Sequence, residues 1–516
     1  MDKRKKLLYC INFKLSILFC LFIIDRGVAQ HHDQNWIMGE GKYILTPSPP
    51  DVGLMLFSFK DSLKIQYIQN TNNNCYMSFT NNCISDKEGN LVAYTDGHNI
   101  FNRDHHIMEG GDTINPGDFW PGYLGFGYPI EAGAIFVPIP DRLDEYILLH
   151  KPIRFGKVNG RLPEYLCDKV YATFIKYDTV NHIHKAYNKN TVLLEGEISE
   201  SEFAIAKHGN GRDFWAVCRK IGEPLYYFFL IDPTGVYFHH EQRIGNAYFK
   251  EDLHGMISFN KLENIMARVI PIEGLEVMEF DRCKGLFYNP ILLPFPDTFL
   301  TFASTIFSPN GKYLYVNSIF NIYQYEISKR FDPSYQPILV GKWDSVYIDD
   351  YSTLFYVGRL ALNNKIYFTV FGTNGYHLHT MHKPDEYGLA CDFRNHDLEL
   401  PTYIDGSLPF FPNYRLGSLK SSSCDSLSGT TPEKEPVFYY SSLVRNSLYI
   451  TCTHADKIVD LDVDIYSLDG RRVWSKEIRL FQRTKIELDN VLQGMYIVVL
   501  REDNVVRLSS KIVVTR

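Results

Sequence analysis

Residues 303–318 read ASTIFSPNGKYLYVNS, a tight turn running into an aromatic strand, and the chain repeats this grammar along most of its length. Ser308-Pro309-Asn310-Gly311 is turn chemistry, because proline sets φ at one corner and Asn-Gly tolerates the positive φ that closes a hairpin. Lys312-Tyr313-Leu314-Tyr315-Val316 then has the aromatic and β-branched content of a strand. SDKEGNLVAYTDG (85–97), KHGNGRDFWAVCR (207–219) and ALNNKIYFTVFG (361–372) each place a Gly or Asn turn before an aromatic strand. Between them LYYFFLIDPTGV (225–236), LEVMEFDRCKGLF (275–287) and IYQYEISKRF (322–331) alternate apolar and polar residues and end in further turns. Units of about 40 to 50 residues, each built from several short antiparallel strands, are the signature of propeller blades. The pattern predicts an all-β chain whose residues 30–418 close into a β-propeller of about seven blades. An all-β sandwich, or two stacked β domains, is the competing architecture.

The chain has 516 residues, too many for one ordinary domain, so a large repeat domain followed by a smaller one is the natural division. Its 45% hydrophobic and 15% aromatic content, against 22% charged residues, excludes a disordered chain. Residues 1–29 read as a signal peptide. Lys3, Arg4, Lys5 and Lys6 form a basic start, Leu15 to Ile24 a short apolar core, and Gly27-Val28-Ala29 a small-residue cleavage site before Gln30. Lys14 interrupts the apolar run and leaves it too short to span a bilayer of about 30 Å, so no transmembrane segment is expected in the mature chain. Phe19 before Cys20 argues against a lipoprotein site. Removing this segment takes away six bases and two acids and moves the net charge from -7 to -11. A mildly acidic exported chain has no electrostatic footprint for nucleic acid.

Eight cysteines remain after cleavage, at scattered spacing and without a CxxC pair. Export permits disulfides. Cys75 and Cys83 are the pair placed to face each other across a hairpin, with single buried thiols as the alternative. A structural zinc site is not expected.

After PNYRLGSL (412–419) the texture changes. Residues 419–436, with KSSSCDSLSGTTPEKEP at their centre, read as a linker rich in Ser, Thr and Pro. Residues 437–516 resume alternating strands, some seven in about 80 residues, which predicts a small immunoglobulin-like β-sandwich. DIYSLDGRRVWSKEI, VLQGMYIVVL and the closing KIVVTR resemble the type A C-terminal sorting domain used by the type IX secretion system of Bacteroidota. In that family an Asp-Gly or Thr-Gly hairpin follows the leading strand, a turn with Leu, Gly and Tyr precedes the penultimate strand, and a basic-ended strand closes the chain. Asp469, Gly470, Leu492, Gly494, Tyr496 and Lys511 fall on those positions. The family's usual opening Pro-Asn-Pro is replaced by Tyr440-Ser441-Ser442. The resemblance implies secretion or display on the outer cell surface, with the type IX machinery as partner.

NWIMGEG, DKEGNLVAYTDGHNIFNRDHHIMEGGDTINPG, FAIAKHGNGRDFWAV, FSPNGKYLYV and SLPFFPNYRLG, in this order over residues 35 to 418, resemble large exported β-propellers of Bacteroidota that carry the same terminal domain. That resemblance implies a WD40-like propeller and no catalytic residue.

Few constellations carry chemistry. Asp141/Asp144 and Asp349/Asp350 are acid pairs in loops, where solvated carboxylates are ordinary, and the Ser-x-Asp-x-Gly-x-Thr-Trp box of sialidase propellers is absent. His31-His32, His105-His106 and His239-His240 are adjacent pairs, and neighbours on a strand point to opposite faces, so no metal site is expected from them. No GxSxG, HExxH or P-loop occurs, and no cofactor is expected. The segment GDFWPGYLGFGYPIEAG (117–133) reads as an aromatic loop over one propeller face. Phe119, Trp120, Tyr123, Phe126 and Tyr128 are the candidate binding residues for a glycan or protein ligand, the alternative being a packed minicore. The leading expectation is a non-enzymatic binding module, and the competing one is a propeller hydrolase acting on glycans or lactones.

Overall fold

The computed structural model describes residues 30–425 and 438–514, less the internal segments 41–52, 70–74, 118–126, 157–165, 247–255, 271–273, 298–302, 349–350, 372–374, 405, 407, 441–442, 445–446, 453–458, 481–482, 489 and 503–504. The first 29 residues, and with them the expected signal peptide, lie outside that range, as do Asp349 and Asp350. No helix among the described residues is long and apolar enough to cross a membrane.

Antiparallel sheets follow one another along the chain. Blade 1 holds Asn35–Glu40, Gly53–Ser58 and Lys64–Gln69, with Tyr76–Met77 paired to its inner edge. Blade 2 is the three strands Asn82–Ser85, Leu91–Thr95 and Ile100–Asn102. Blades 5, 6 and 7 are four-stranded meanders that begin at Ile257–Phe259, Thr305–Phe307 and Phe355–Leu360. Blades 3 and 4 share one strand, Ile183–Lys207. Its first part pairs with Leu166–Asp178 and its last part with Phe214–Lys220, with a register break between Ile198 and Phe203. It serves as the outer strand of blade 3 and the inner strand of blade 4, which is why hydrogen bonding counts the two blades as one eight-stranded sheet.

Seven apolar cores, one between each pair of neighbouring blades, make the ring. Ile37 and Leu54 pack on Tyr94 and Phe101 between blades 1 and 2. Ile84 and Ile100 meet Phe136 and Leu148 between blades 2 and 3. Ile135 and Val137, pointing the other way from the same strand, meet Ile205 and Phe214 between blades 3 and 4. Ala204 and Trp215 pack on Met278 and Phe287 between blades 4 and 5. Val269 and Val277 meet Leu314 and Val316, and Tyr315 and Ile322 meet Ile366 and Phe368. The cycle closes where Trp36, Met38, Met55 and Phe57 of blade 1 pack against Tyr367, Leu378, Leu400 and Ile404 of blade 7. A cycle of seven such cores is a closed seven-bladed propeller. It also explains the apolar density of the strands, because successive side chains point to opposite faces and both faces are buried.

Several buried polar groups inside the ring are paired. Glu202 takes Arg219 and Arg268 between blades 4 and 5, and Arg268 reaches on to Glu276 at 2.7 Å; all four side chains are buried. Such a cluster tolerates burial because each charge is compensated. His150 donates from Nδ1 to Asn115 at 2.6 Å and accepts at Nε2 from the Thr173 hydroxyl at 2.9 Å, so it is held neutral. Burial pushes it down to about 3.

The terminal strands form a second unit. Phe438–Tyr440, Ser447–Cys452 and Arg483–Glu487 make a three-stranded sheet. A five-stranded sheet orders Leu443–Val444, Val505–Val514, Gly494–Glu502, Val459–Ser467 and Arg472–Leu480. Leu448, Ile450 and Ile486 of the first sheet share one core with Val463, Ile465, Leu500 and Ile512 of the second, which makes the unit a β-sandwich.

Of the two readings of Cys75 and Cys83, the buried thiols hold. Cys75 and Cys83 are separate buried thiols in the core between blades 1 and 2, where the Cys83 thiol donates to the Asn35 carbonyl. The disulfide joins Cys283, in the last hairpin of blade 5, to Cys424, 141 residues later. Such a long loop is expensive to hold closed without the bond, so the Cys283→Ser, Cys424→Ser protein is expected to lose about 2–4 kcal/mol of stability in denaturant titration. An unchanged midpoint would show that the strap is held without it.

Acid should weaken the fold. Burial holds His32 and His240 near 4 and His150, His239 and His379 near 3, below the ordinary histidine value of about 6.5. A depressed pKa contributes stability that is complete above the unfolded value and is lost as pH falls through about 6.5 toward the folded values. Each such histidine removes about 1.4 kcal/mol per pH unit across that window. Glu263, pushed up to about 7 by burial, opposes, as do the raised carboxyls of Asp33 and Asp96. Melting temperature is therefore expected to fall from pH 7 to pH 5; a flat or rising profile would contradict these buried neutral imidazoles.

Candidate functional site

A cavity of about 700 Å³ lies on the ring axis. Its walls are the inner strands, with Ile135 from blade 3, Ile205 from blade 4, Ile257 from blade 5, Ile306 from blade 6 and Gly358 and Arg359 from blade 7. Inner strands reach the axis because every blade begins there, and their side chains on the axis are the ones no neighbouring blade covers.

The segment Phe410–Cys424 straps one mouth of this cavity. Asn82 donates to the Phe410 carbonyl at 2.8 Å, and Tyr414 is buried with its hydroxyl on the Phe136 carbonyl at 3.0 Å. Arg415 pairs with Asp33 at 2.6 Å, Arg282 donates to the Gly417 carbonyl at 2.9 Å, and Leu419 donates to Gly209 at 2.7 Å. The disulfide ends the run. The N-terminal residues and PNYRLG do meet, through Arg415 and Asp33, while blades 7 and 1 close the ring by side-chain packing.

Glu263 fixes the strap to blade 5. Its carboxylate accepts the backbone N–H of Asn413 at 2.7 Å and that of Lys207, and its own φ of +52° turns the hairpin that presents it. Desolvation dominates and pushes the carboxyl up to about 7, against both amide bonds. Lys207 beside it is pushed down to about 8, chiefly by burial. Across the cavity the Arg359 guanidinium lies over the Phe410 ring, 5.2 Å from its centroid. Burial pulls it down to about 10, with Glu131 acting the other way. Glu131 accepts the Tyr356 hydroxyl. The cavity thus offers a largely apolar wall, the Arg359 guanidinium, the Arg415–Asp33 ion pair and the hydrogen-bonded carboxyl of Glu263. None of Arg359, Glu263 or Glu131 stands out in the sequence. The available signal was the charge of Arg359 inside LFYVGRLAL, a phrase otherwise suited to a strand buried on both faces.

Of the expected binding residues, Phe119, Trp120, Tyr123 and Phe126 lie outside the described residues. Tyr128 is fully buried, packs edge-on against His98 at 5.2 Å and accepts the Ile153 N–H at its hydroxyl. Asp141 and Asp144 turn the blade 3 hairpin at positive φ, and Asp141 pairs with Arg212 at 3.0 Å. They border a smaller cavity of about 300 Å³.

The opposite-face rule fails at His239-His240. A bulge at His239, which has no partner between Phe228 and Phe229, brings the two Nδ1 atoms to 2.8 Å, with both rings against Trp215. Among the described residues no group of three His, Cys, Asp or Glu side chains is placed to hold a metal ion.

In the terminal sandwich Asp469-Gly470 makes the hairpin between Val459–Ser467 and Arg472–Leu480, with Gly470 at φ +85°. Tyr496 packs on the core, Gly494 opens its strand, and Lys511 pairs in register with Ile497. Leu492 is 68% exposed, close to Met495 and Val513, which are exposed cross-strand neighbours.

The family model described as Secretion system C-terminal sorting domain (Por_Secre_tail) matches residues 444–515. No curated protein matches the chain in sequence. Among solved structures, a putative 6-phosphogluconolactonase from Bacteroides uniformis is 9% identical, covering 73% of this chain and 100% of that one, with a TM-score of 0.36. The β-propeller domain of Cps50 (Swd1) from Myceliophteria thermophila is 8% identical over 62% and 88%, with a TM-score of 0.33. The extracellular domain of a putative hybrid two component system from B. thetaiotaomicron is 11% identical over 90% and 67%, with a TM-score of 0.28. At such scores the fold rests on the cycle of seven cores. Residues 444–515 are a sorting domain of the type IX route, and the chain is a β-propeller protein carried by it to the cell surface or into the medium.

Proposed function

We propose that the chain is an exported binding module, in which the propeller holds a ligand and the terminal domain delivers it outside the cell. The observation that carries this reading is the axial cavity of about 700 Å³. Its size and its apolar walls with a few convergent polar groups are those of a ligand site. The carboxylates at its edge are engaged in holding the fold, Asp33 by Arg415 and Glu263 by two backbone amides. Residues 1–29 would be the signal peptide, 419–436 the linker, and 437–516 an immunoglobulin-like sorting unit.

One observation favours a hydrolase: a carboxyl held near 7, that of Glu263, is matched to proton transfer at neutral pH and lines the same cavity. Incubating the mature chain with glycan and lactone panels separates the two. Binding without turnover supports the module; turnover that Glu263→Gln abolishes supports the enzyme.

Export is tested by deleting residues 444–515. The sandwich has its own core, so the propeller should still fold. Cell fractionation is expected to find it in the periplasm and absent from the surface and medium. Normal display of the truncated chain would remove the role given to the terminal domain.

A further inference from the structure

We propose that the axial cavity binds a small organic carboxylate with an apolar body, its anionic end taken by the Arg359 guanidinium. This rests on the binding-module reading and names the ligand class for it.

Arg359 has no ion pair among the described residues; the Phe410 ring and the more distant Glu131 are what answer its charge. Nη1 donates to the carbonyl of the adjacent Gly358 at 3.2 Å, Nη2 faces the Met256 thioether at 2.9 Å, and Nε is buried without a partner. Among the described residues no carboxylate oxygen lies within 4 Å of it. Arg219 and Arg268, buried elsewhere in the ring, each contact a carboxylate. A thioether is a weak acceptor. Nε is closed off by burial, so a ligand carboxylate would take the Nη hydrogens that the Gly358 carbonyl and the thioether leave free.

The rim agrees in sign. Lys60 and Lys261 line the cavity, exposed, and have no ion pair among the described residues, whereas Asp33 and Glu263 are engaged. Cations are thus left over at one mouth of a chain whose net charge is -7. That arrangement draws small anions inward against the overall field. Beyond the guanidinium the wall is Ile135, Ile205, Ile257 and Ile306, which favours an apolar body. With Arg415 already paired to Asp33, the one guanidinium without an ion pair fits a monoanion better than a phosphate, which would need several donors.

The test uses the mature chain, residues 30–516, and calorimetry with 4-phenylbutyrate, octanoate and indole-3-acetate, each beside its neutral primary amide. At least one acid is expected to bind about tenfold or more tightly than its amide, the worth of one charged hydrogen-bonded contact. Arg359→Met should abolish that preference, and Arg359→Lys should keep part of it. The ligand-free Arg359→Met protein should melt close to the parent, because no ion pair is lost and only the Gly358 carbonyl and the Phe410 ring lose a contact. Equal affinities for acid and amide, binding of none of the three acids, or a preference that survives in Arg359→Met would overturn the inference. So would a fall of several degrees in the ligand-free melting temperature, which would make Arg359 structural. Glycan or protein capture that is equal in the parent and Arg359→Met would overturn the inference while leaving the binding-module reading in place; turnover of the captured ligand would overturn both.

Discussion

The packing of blade 7 against blade 1 is the contact on which the propeller depends. Each blade is a sheet with two apolar faces and cannot bury both alone. Six interfaces arise as the chain winds from one blade to the next. The seventh must be made between residues some 330 positions apart, where Trp36 meets Tyr367 with ring centroids 6.2 Å apart. Without it, Met38, Met55 and Phe57 on one side and Leu378 and Leu400 on the other would face water. Non-local closure of this kind costs chain entropy before any contact rewards it. The strap and the disulfide lie across the closed ring and tie blades 1 to 5 to the segment that leads to the sorting domain.

Function follows from this closure. An open array of sheets has no axis, and the cavity exists only because seven inner strands converge. The side chains facing it are free from the packing rule that governs the rest of each strand. That freedom is why a guanidinium can stand at Arg359 among isoleucines. The sorting domain is built differently, from two sheets sharing one core, and its exposed Leu492, Met495 and Val513 lie outside that core. The sorting domain and the proposed ligand site therefore occupy separate parts of the chain.

Much of the architecture was legible because turns are punctuated locally. Ser308-Pro309-Asn310-Gly311 does form the hairpin before Tyr313–Asn317, with Gly311 at φ +72°. The 25-residue strand Ile183–Lys207 was not legible as the junction of two blades, since its register break at residues 199–202 carries no Gly or Pro. Tyr128 takes the packed rather than the exposed of its two expected places for a related reason. Its glycine neighbours look like loop residues, yet Gly97, at φ +85°, leaves the space its ring fills, and an added Cβ there would meet Tyr128 at 2.4 Å. The Cys283–Cys424 link joins segments 141 residues apart and has no local signal. The bulge that turns His239 toward His240 depends on the partner strand and is invisible in one strand's own pattern.

Amide hydrogen exchange on Trp36→Ala tests the closed ring most directly. Trp36 is 1% exposed and its loss leaves a cavity worth about 3–5 kcal/mol at the closing interface. If closure holds the whole propeller, protection should fall by a similar free energy in blade 7 and in Phe214–Lys220 of blade 4, on the far side of the ring. Loss confined to blades 1 and 7, with the amides of Phe214–Lys220 as protected as in the parent, would contradict a ring held by its seventh interface.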